Sequence, residues 1–263
     1  MSTGSEPRYV MIGTPIGSVR TPPLLEAFLA AQGAPARVEA RQVEAEDLAA
    51  FMAEARADPS VRGLMVTMPH KRAIRPFLDG ESQVARAAGS VNAVKRVGDG
   101  FIGAQFDGIG LRSALLAEGV DLAASTVRLA GLGGAGLAIA QALLAGGCGR
   151  LLVRESDGAR LADVLPRLGS GVGVVDEGAV PDADVLVNAT PLGMGAGDGS
   201  PFSREAVARA AIVADIVADP NATRLAAMAR DAGVRLVTGR MMVEHQIAPI
   251  GRWLLSQDIR QES

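Results

Sequence analysis

"TVRLAGLGGAGLAIAQALLAGG", residues 126–147, holds a strand, a turn and a helix in one uninterrupted passage. Its opening is apolar around Arg128 and carries a β-branched pair at Thr126 and Val127, which reads as a buried strand. Glycines 131, 133, 134 and 136 end that strand, and the alanine-rich run that follows reads as a helix leaving through Gly146 and Gly147. The stretch from Leu129 to Gly149 has no charged residue and is long enough to cross a bilayer. Its punctuating glycines and Gln141 suit strand, turn, helix and exit loop instead, so no membrane span is expected. In that setting Gly131-Leu132-Gly133-Gly134-Ala135-Gly136 lets the chain turn tightly and approach a pyrophosphate. The helix start adds N–H donors and partial positive charge. Gly131, Gly133, Gly134, Ala135 and Gly136 are therefore candidate dinucleotide contacts, with ordinary tight strand–helix packing as the alternative use of the same spacing.

Reading outward, the next strand, "RLLVRE", ends where an adenosine ribose would lie. Glu155 stands at the usual separation for an acid that binds a ribose 2′-hydroxyl, whereas its neighbour Arg154 suits a 2′-phosphate. The two point to different nucleotides, and a solvated Arg-Glu pair is the third reading. Further strands at "VGVVD", "DVLVNATP", "AIVADIV" and "VRLVTG" alternate with helices, which predicts a doubly wound sheet. Upstream, "YVMIGTP" (9–15), "RVEARQV" (37–43) and "GLMVTM" (63–68) read as strands separated by helices near 22–33 and 44–56. "SVNAVKRV" and "FIGAQF" then form a hairpin across Gly98-Asp99-Gly100. A helix from about Gly108 to Glu118 leads into the second unit, and a last helix runs from Met241 to about Ile259. The expected fold is α/β with two domains. Residues 1–108 form an α/β substrate domain, 109–240 a Rossmann-like nucleotide-binding domain, and the helix in 241–263 packs back on the first.

Composition narrows the function. A chain of 263 residues with net charge −3, one Trp and one Tyr lacks the basic excess and the stacking platforms of a nucleic-acid binder, so small molecules are the expected partners. Cys148 is the only cysteine and His70 and His245 the only histidines, so neither an intrachain disulfide nor a Cys/His metal site is expected. "MSTGSEPR" at the start has no apolar core resembling a secretory signal, and the cytoplasm is the expected compartment.

The short run Val66-Thr67-Met68-Pro69-His70-Lys71 closes a strand on a polar cluster. With Val91-Asn92-Ala93, Phe106-Asp107-Gly108-Ile109-Gly110, the glycine loop and Asn188-Ala189-Thr190-Pro191-Leu192-Gly193-Met194, it makes an ordered series. Asp215 with Pro220, Thr223 and Leu225, then Gly239 with Met242 and Gln246, complete that series. Over nearly its whole length the chain resembles the shikimate dehydrogenases and their quinate and aminoshikimate dehydrogenase relatives. The resemblance implies Lys71 and Asp107 as the catalytic pair, and Thr67, Asn92, Gln246 and Thr21 as substrate contacts. It adds Asn188, Thr190 and Gly239 to the nucleotide site. Oxidising an alcohol requires removal of its hydroxyl proton, and an ordinary lysine ammonium is a poor base at neutral pH, so the proton transfer falls to the pair. Taken alone, Asp107 also suits a helix N-cap and His70 a surface or capping role.

Departures from the family pattern bear on the substrate. Two serines separated by one residue usually bind the substrate carboxylate, and Val19 and Thr21 stand in their places, with Ser18 and Arg20 as the other candidate anion contacts. Gln105-Phe106 replaces Asn-Thr before the aspartate, Ala218 a tyrosine, Glu155 a common threonine and Gly158 a second basic residue. The expected activity is hydride transfer between NADP or NAD, with a slight lean to NADP, and a secondary alcohol of a small cyclic hydroxy acid. A quinate or aminoshikimate dehydrogenase-type paralogue and a non-catalytic dinucleotide-binding sensor are the alternatives.

Overall fold

Alternating apolar strands and amphipathic helices build two sheets, each with its own core. The computed structural model describes residues 6–17, 19–176, 182–195, 197–217 and 223–258; Ser18, Ala218, Pro220 and the expected helix end at Ile259 lie outside them. The chain divides into one unit of Met1–Phe106 with Gln246–Ser263 and a second of Asp107–His245.

In the first unit, β1 (Arg8–Gly13), β2 (Arg37–Gln42) and β3 (Val61–Val66) are parallel, with α1 (Thr21–Ala31) and α2 (Leu48–Ala57) as crossovers. After β3 the chain makes the short helix α3 (His70–Ala73) and a 3-10 turn, then β4 (Gly80–Glu81) and α4 (Gln83–Ala88). The hairpin β5 (Ala93–Val97) and β6 (Gly100–Ala104) turns through Gly98, whose φ of +59° suits glycine. β5 runs antiparallel to β3, giving the order β2-β1-β3-β5-β6-β4. Val10, Ile12, Leu64, Val66, Val94 and Phe101 form the core of this sheet with α2 residues Phe51 and Met52.

The second unit begins with α5 (Asp107–Ala117) and continues β7 (Thr126–Ala130), α6 (Gly134–Ala145), β8 (Arg150–Arg154), α7 (Gly158–Leu168) and β9 (Val172–Val174). It closes with β10 (Val185–Asn188), α8 (Arg204–Arg209), β11 (Ile212–Asp215), α9 (Arg224–Asp231) and β12 (Arg235–Thr238). All of its strands are parallel in the order β12-β11-β10-β7-β8-β9, so the sequence crosses over between β9 and β10, placing a topological switch at the C-terminal edges of β7 and β10. Leu129, Val153 and Val187 face α5 and α6 in one core, and Leu186, Val213 and Phe202 face α8 and α9 in the other. This is the doubly wound α/β fold that the strand–helix alternation predicts.

The last helix, α10 (Gly239–Leu255), starts in the second unit and lies in the first from Gln246 onward. A Cβ on Gly251 would run into the Phe28 ring, so glycine lets α10 lie directly against α1. Buried Lys95 of β5 caps the end of α10: its ammonium donates to the carbonyls of Trp253 (3.1 Å), Ser256 and Asp258 and stands 4.6 Å from the centre of the Trp253 ring. Among the described residues no helix is long and apolar enough to cross a membrane.

Candidate active site

The glycine loop is shaped by backbone meeting backbone. Gly131 has φ +90°, and a Cβ there would lie 2.8 Å from the carbonyl oxygen of Ala189; one on Gly136 would collide with the Gly131 carbonyl. Gly133 is different: it is extended, caps α6 without a side-chain hydrogen bond, and a Cβ on it would meet nothing within 4 Å. With residues 133–135 half-exposed and no acid in the first turn of α6, the helix start fits an anionic pyrophosphate.

Glu155 leans onto this loop. Leu132 N–H donates to its Oε2 at 2.8 Å and Asp157 N–H to its Oε1 at 3.1 Å, so the carboxylate ties the β7–α6 loop to the β8–α7 turn. Arg154 is half-buried, and its charge acts on buried Arg128, whose guanidinium pKa is lowered first by burial and then by Arg154. Exposed Gly158 opens α7, where Asp157 Oδ1 accepts from Ala159 N–H (3.0 Å) and Arg160 N–H (3.1 Å).

At the ends of β10 and β11, Asn188 is buried and spends its amide inside the loop that follows: Nδ2 donates to Leu192 O and to Asp215 Oδ1, each at 3.1 Å. Its Oδ1 accepts from Thr190 N–H at 3.0 Å and from the Thr190 hydroxyl at 2.7 Å. Gly239 begins α10 where a Cβ would stand 2.6 Å from the Ile216 carbonyl oxygen, so only glycine lets that turn pass beneath the end of β11.

In the first unit the polar cluster after β3 is pinned from several sides. Half-buried Thr67 donates its N–H to Ile12 O (3.0 Å) and accepts from His70 N–H (3.0 Å). His70, expected in a surface or capping role, is not at the surface but fully buried: its Nε2–H donates to Val43 O at 2.7 Å, while Nδ1 has no hydrogen-bond partner among the described residues. Because a carbonyl can only accept, this contact puts the ring proton on Nε2. Lys71, next along α3, is half-buried, and its carbonyl accepts from Val91 N–H at 2.7 Å, tying its turn to the residue before Asn92. Asn92 Oδ1 accepts from Phe106 N–H (2.8 Å), and its Nδ2 donates to Gln246 Oε1 (3.1 Å). Gln246 is itself buried.

Asp107 follows Phe106 as the first residue of α5 and is 2% exposed. Gln105 turns inward to donate from Nε2 to Ser90 Oγ at 2.8 Å, and Phe106 packs on Trp253 with ring centres 5.7 Å apart. Thr21 is the buried first residue of α1, between exposed Arg20 and two prolines. Residues 22 and 23 therefore add no backbone donors beside it. Ser90, Asp215 and Lys95 are structural partners that the motifs did not single out as site residues.

A parallel sheet with a glycine loop at its switch point, joined to a second α/β unit, defines a two-domain protein of the dinucleotide-dependent oxidoreductase class. Residues 11–94 match the family model described as the shikimate dehydrogenase substrate binding domain. Shikimate dehydrogenase (NADP(+)) from Rubrobacter xylanophilus is 35% identical over 90% of this chain and 86% of its own length. The Thermus thermophilus shikimate 5-dehydrogenase structure in complex with NADP(H) and shikimate has a TM-score of 0.82 and 29% identity, covering 95% of this chain and 93% of its own. The ligand-free 5-ketofructose reductase of a Gluconobacter strain has a TM-score of 0.78 and 25% identity, covering 95% and 92%. The chain belongs to the shikimate dehydrogenase family and is an oxidoreductase of that type.

Proposed function

We propose that this protein interconverts a secondary alcohol and a ketone on a small cyclic hydroxy acid, shikimate and 3-dehydroshikimate or a close relative, with NADP or NAD. The observation that carries this reading is the buried carboxylate of Asp107 at a helix start, next in the chain to the amide that fixes Asn92. A sensor that only bound a dinucleotide would need neither Asp107 nor Lys71. The glycine loop and the start of α6 would hold the pyrophosphate, Arg154 and Glu155 the adenosine ribose, and the 188–194 loop with Gly239 the other half. A nicotinamide nucleotide supplies a hydride acceptor or donor when bound.

On the protein side, Lys71 and Asp107 together hold and move the hydroxyl proton, because developing charge on the substrate oxygen must be matched by proton transfer. Thr67, Asn92, Gln246 and Thr21 orient the ring by hydrogen bonds. Val19 favours a second substrate reading within the family, since one carboxylate donor is missing and a relative of shikimate that does not need it would lose less. A 5-ketofructose reductase of the same architecture supports that range of substrates. The deciding experiment is a screen of shikimate, quinate, aminoshikimate and related cyclic polyols with NADP and NAD, following the reduced nucleotide by absorbance. Turnover of one of these supports the reading, and no turnover on any of them overturns it.

A further inference from the structure

We propose that Asp215 is a positioning residue whose carboxylate holds the 188–194 loop in the shape that receives the nicotinamide half of the nucleotide; this rests on the dehydrogenase reading above. Asp215 ends β11, pairs in register with Asn188 of β10, and is completely buried. Its Oδ1 accepts from Asn188 Nδ2 (3.1 Å) and Val217 N–H (3.3 Å), and its Oδ2 from the Thr223 hydroxyl (2.7 Å). Thr223 Oγ1 in turn accepts from Ala226 N–H (3.0 Å) and so caps α9. Burial raises the Asp215 pKa, while its hydrogen bonds from Thr223, Val217 and Asn188 oppose that shift.

The geometry decides which way Asn188 faces. A carboxylate only accepts when ionised, so the amide must present Nδ2 to Asp215 and Oδ1 to Thr190. Thr190 Oγ1 then accepts from Leu192 N–H at 3.1 Å, and Leu192 O accepts the second Nδ2 hydrogen. With its backbone so occupied, the loop turns Leu192 and Met194, 39% and 52% exposed, outward beyond the C-terminal end of β10. An apolar surface held rigid at a strand's C-terminal edge suits a flat heterocycle. Loss of one Asp215 acceptor would release either Asn188 or Thr223 and let the loop leave that shape.

The test uses Asp215→Asn, which turns one acceptor into a donor, and Thr223→Val, which removes one donor while keeping the carboxylate; Thr223→Ser is the conservative control. NADPH binding is measured by its own fluorescence, and hydrogen exchange reports the Leu192 amide. The expected result is a tenfold or greater rise in NADPH Kd and faster Leu192 exchange in Asp215→Asn and Thr223→Val. The KM for the alcohol should stay within twofold of wild type, and Thr223→Ser should behave as wild type. If Asp215→Asn does not fold, Thr223→Val decides the question. Variants that fold, whether or not Tm falls, but bind NADPH within twofold of wild type overturn the positioning role. A wild type that binds neither NADPH nor NADH overturns the dehydrogenase reading and this inference with it.

Discussion

Asn92 and Gln246, 154 residues apart in the chain, share a buried hydrogen bond from Asn92 Nδ2 to Gln246 Oε1 at 3.1 Å. The same Asn92 accepts from Phe106 N–H at 2.8 Å, so one side chain joins the start of β5, the end of the hairpin and the last helix. Asn92→Ala should therefore destabilise the protein more than Gln246→Ala does, by about 1 to 3 kcal/mol, because it also orphans a buried backbone N–H. The double variant should lose less than the sum of the two, by about 0.5 to 1.5 kcal/mol, as expected for groups in one network. Urea unfolding of the four proteins measures both quantities, and strict additivity would remove the coupling.

Lys71→Ala and Asp107→Asn should each lower kcat by roughly 10²- to 10⁴-fold on whichever substrate the screen identifies, the usual contribution of general acid–base help. Nucleotide Kd should change little, because neither residue belongs to the glycine loop. Near-normal turnover in both variants would remove them from the proton path.

Val19→Ser should raise kcat/KM for shikimate by several-fold to about a hundredfold, the range a hydrogen bond to a charged acceptor can supply. The substitution restores a hydroxyl beside the start of α1, where Pro22 and Pro23 offer no N–H of their own. An unchanged or lower value would mean that the carboxylate is held elsewhere, with Arg20 the first residue to test, or that the natural substrate has none there.

Glu155→Thr should shift the kcat/KM ratio toward NADP by about tenfold, the equivalent of 1.4 kcal/mol. Glu155 is held against the loop by Leu132 N–H and Asp157 N–H, so its negative charge is fixed at the end of β8, where the proposed function puts the ribose. Paired measurements with NADP and NAD on both proteins check this, and no shift would leave the choice to Arg154.

Asp58 accepts from Ser60 side chain and backbone and pairs with Arg8 at 2.6 Å, which together lower its pKa to about 2. A depressed carboxylate stabilises the fold above its unfolded value, near 3.8, and that contribution is lost as pH falls through the folded value of about 2. The side chains of the pair are about a third exposed, 34% and 37%, so solvent screening should hold the effect below about 1 kcal/mol. Asp58→Asn should lower stability at pH 6 and converge with wild type near pH 2, and parallel unfolding curves across that range would contradict the assignment.

Much of the architecture is written locally. Val127, Leu129 and Leu151 to Val153 read as strands because short β-branched and apolar runs suit a covered sheet, and the spacing of Gly131, Gly133, Gly134 and Gly136 marks a turn into a helix. Those features need only neighbouring residues, so the order of strands and helices and the glycine loop follow from sequence. β4, two residues long, and α3, four, gave no such pattern; the first exists because Gly80 and Glu81 pair with Ile102 and Gly103, and the second is one turn closed by Ile74 N–H on His70 O and tied by Val91 N–H to Lys71 O.

The chemistry of single side chains was decided by tertiary structure. "VTMPHK" marks Thr67 and Lys71 but cannot reveal that His70 is enclosed against Val43 O, since that carbonyl arrives from the end of β2. Likewise Glu155 follows Arg154 in sequence with no hint that Leu132 N–H, 23 residues earlier, holds its carboxylate. Asp215 reads as one member of a motif and becomes a hub only when parallel pairing of β10 and β11 sets it beside Asn188. Local propensity and glycine geometry act between neighbours, whereas a hydrogen bond's partner depends on which distant backbone the closed sheets bring within about 3 Å. For that reason the sequence determined this protein's elements and motifs, and only the folded chain determined what Glu155, His70 and Asp215 do.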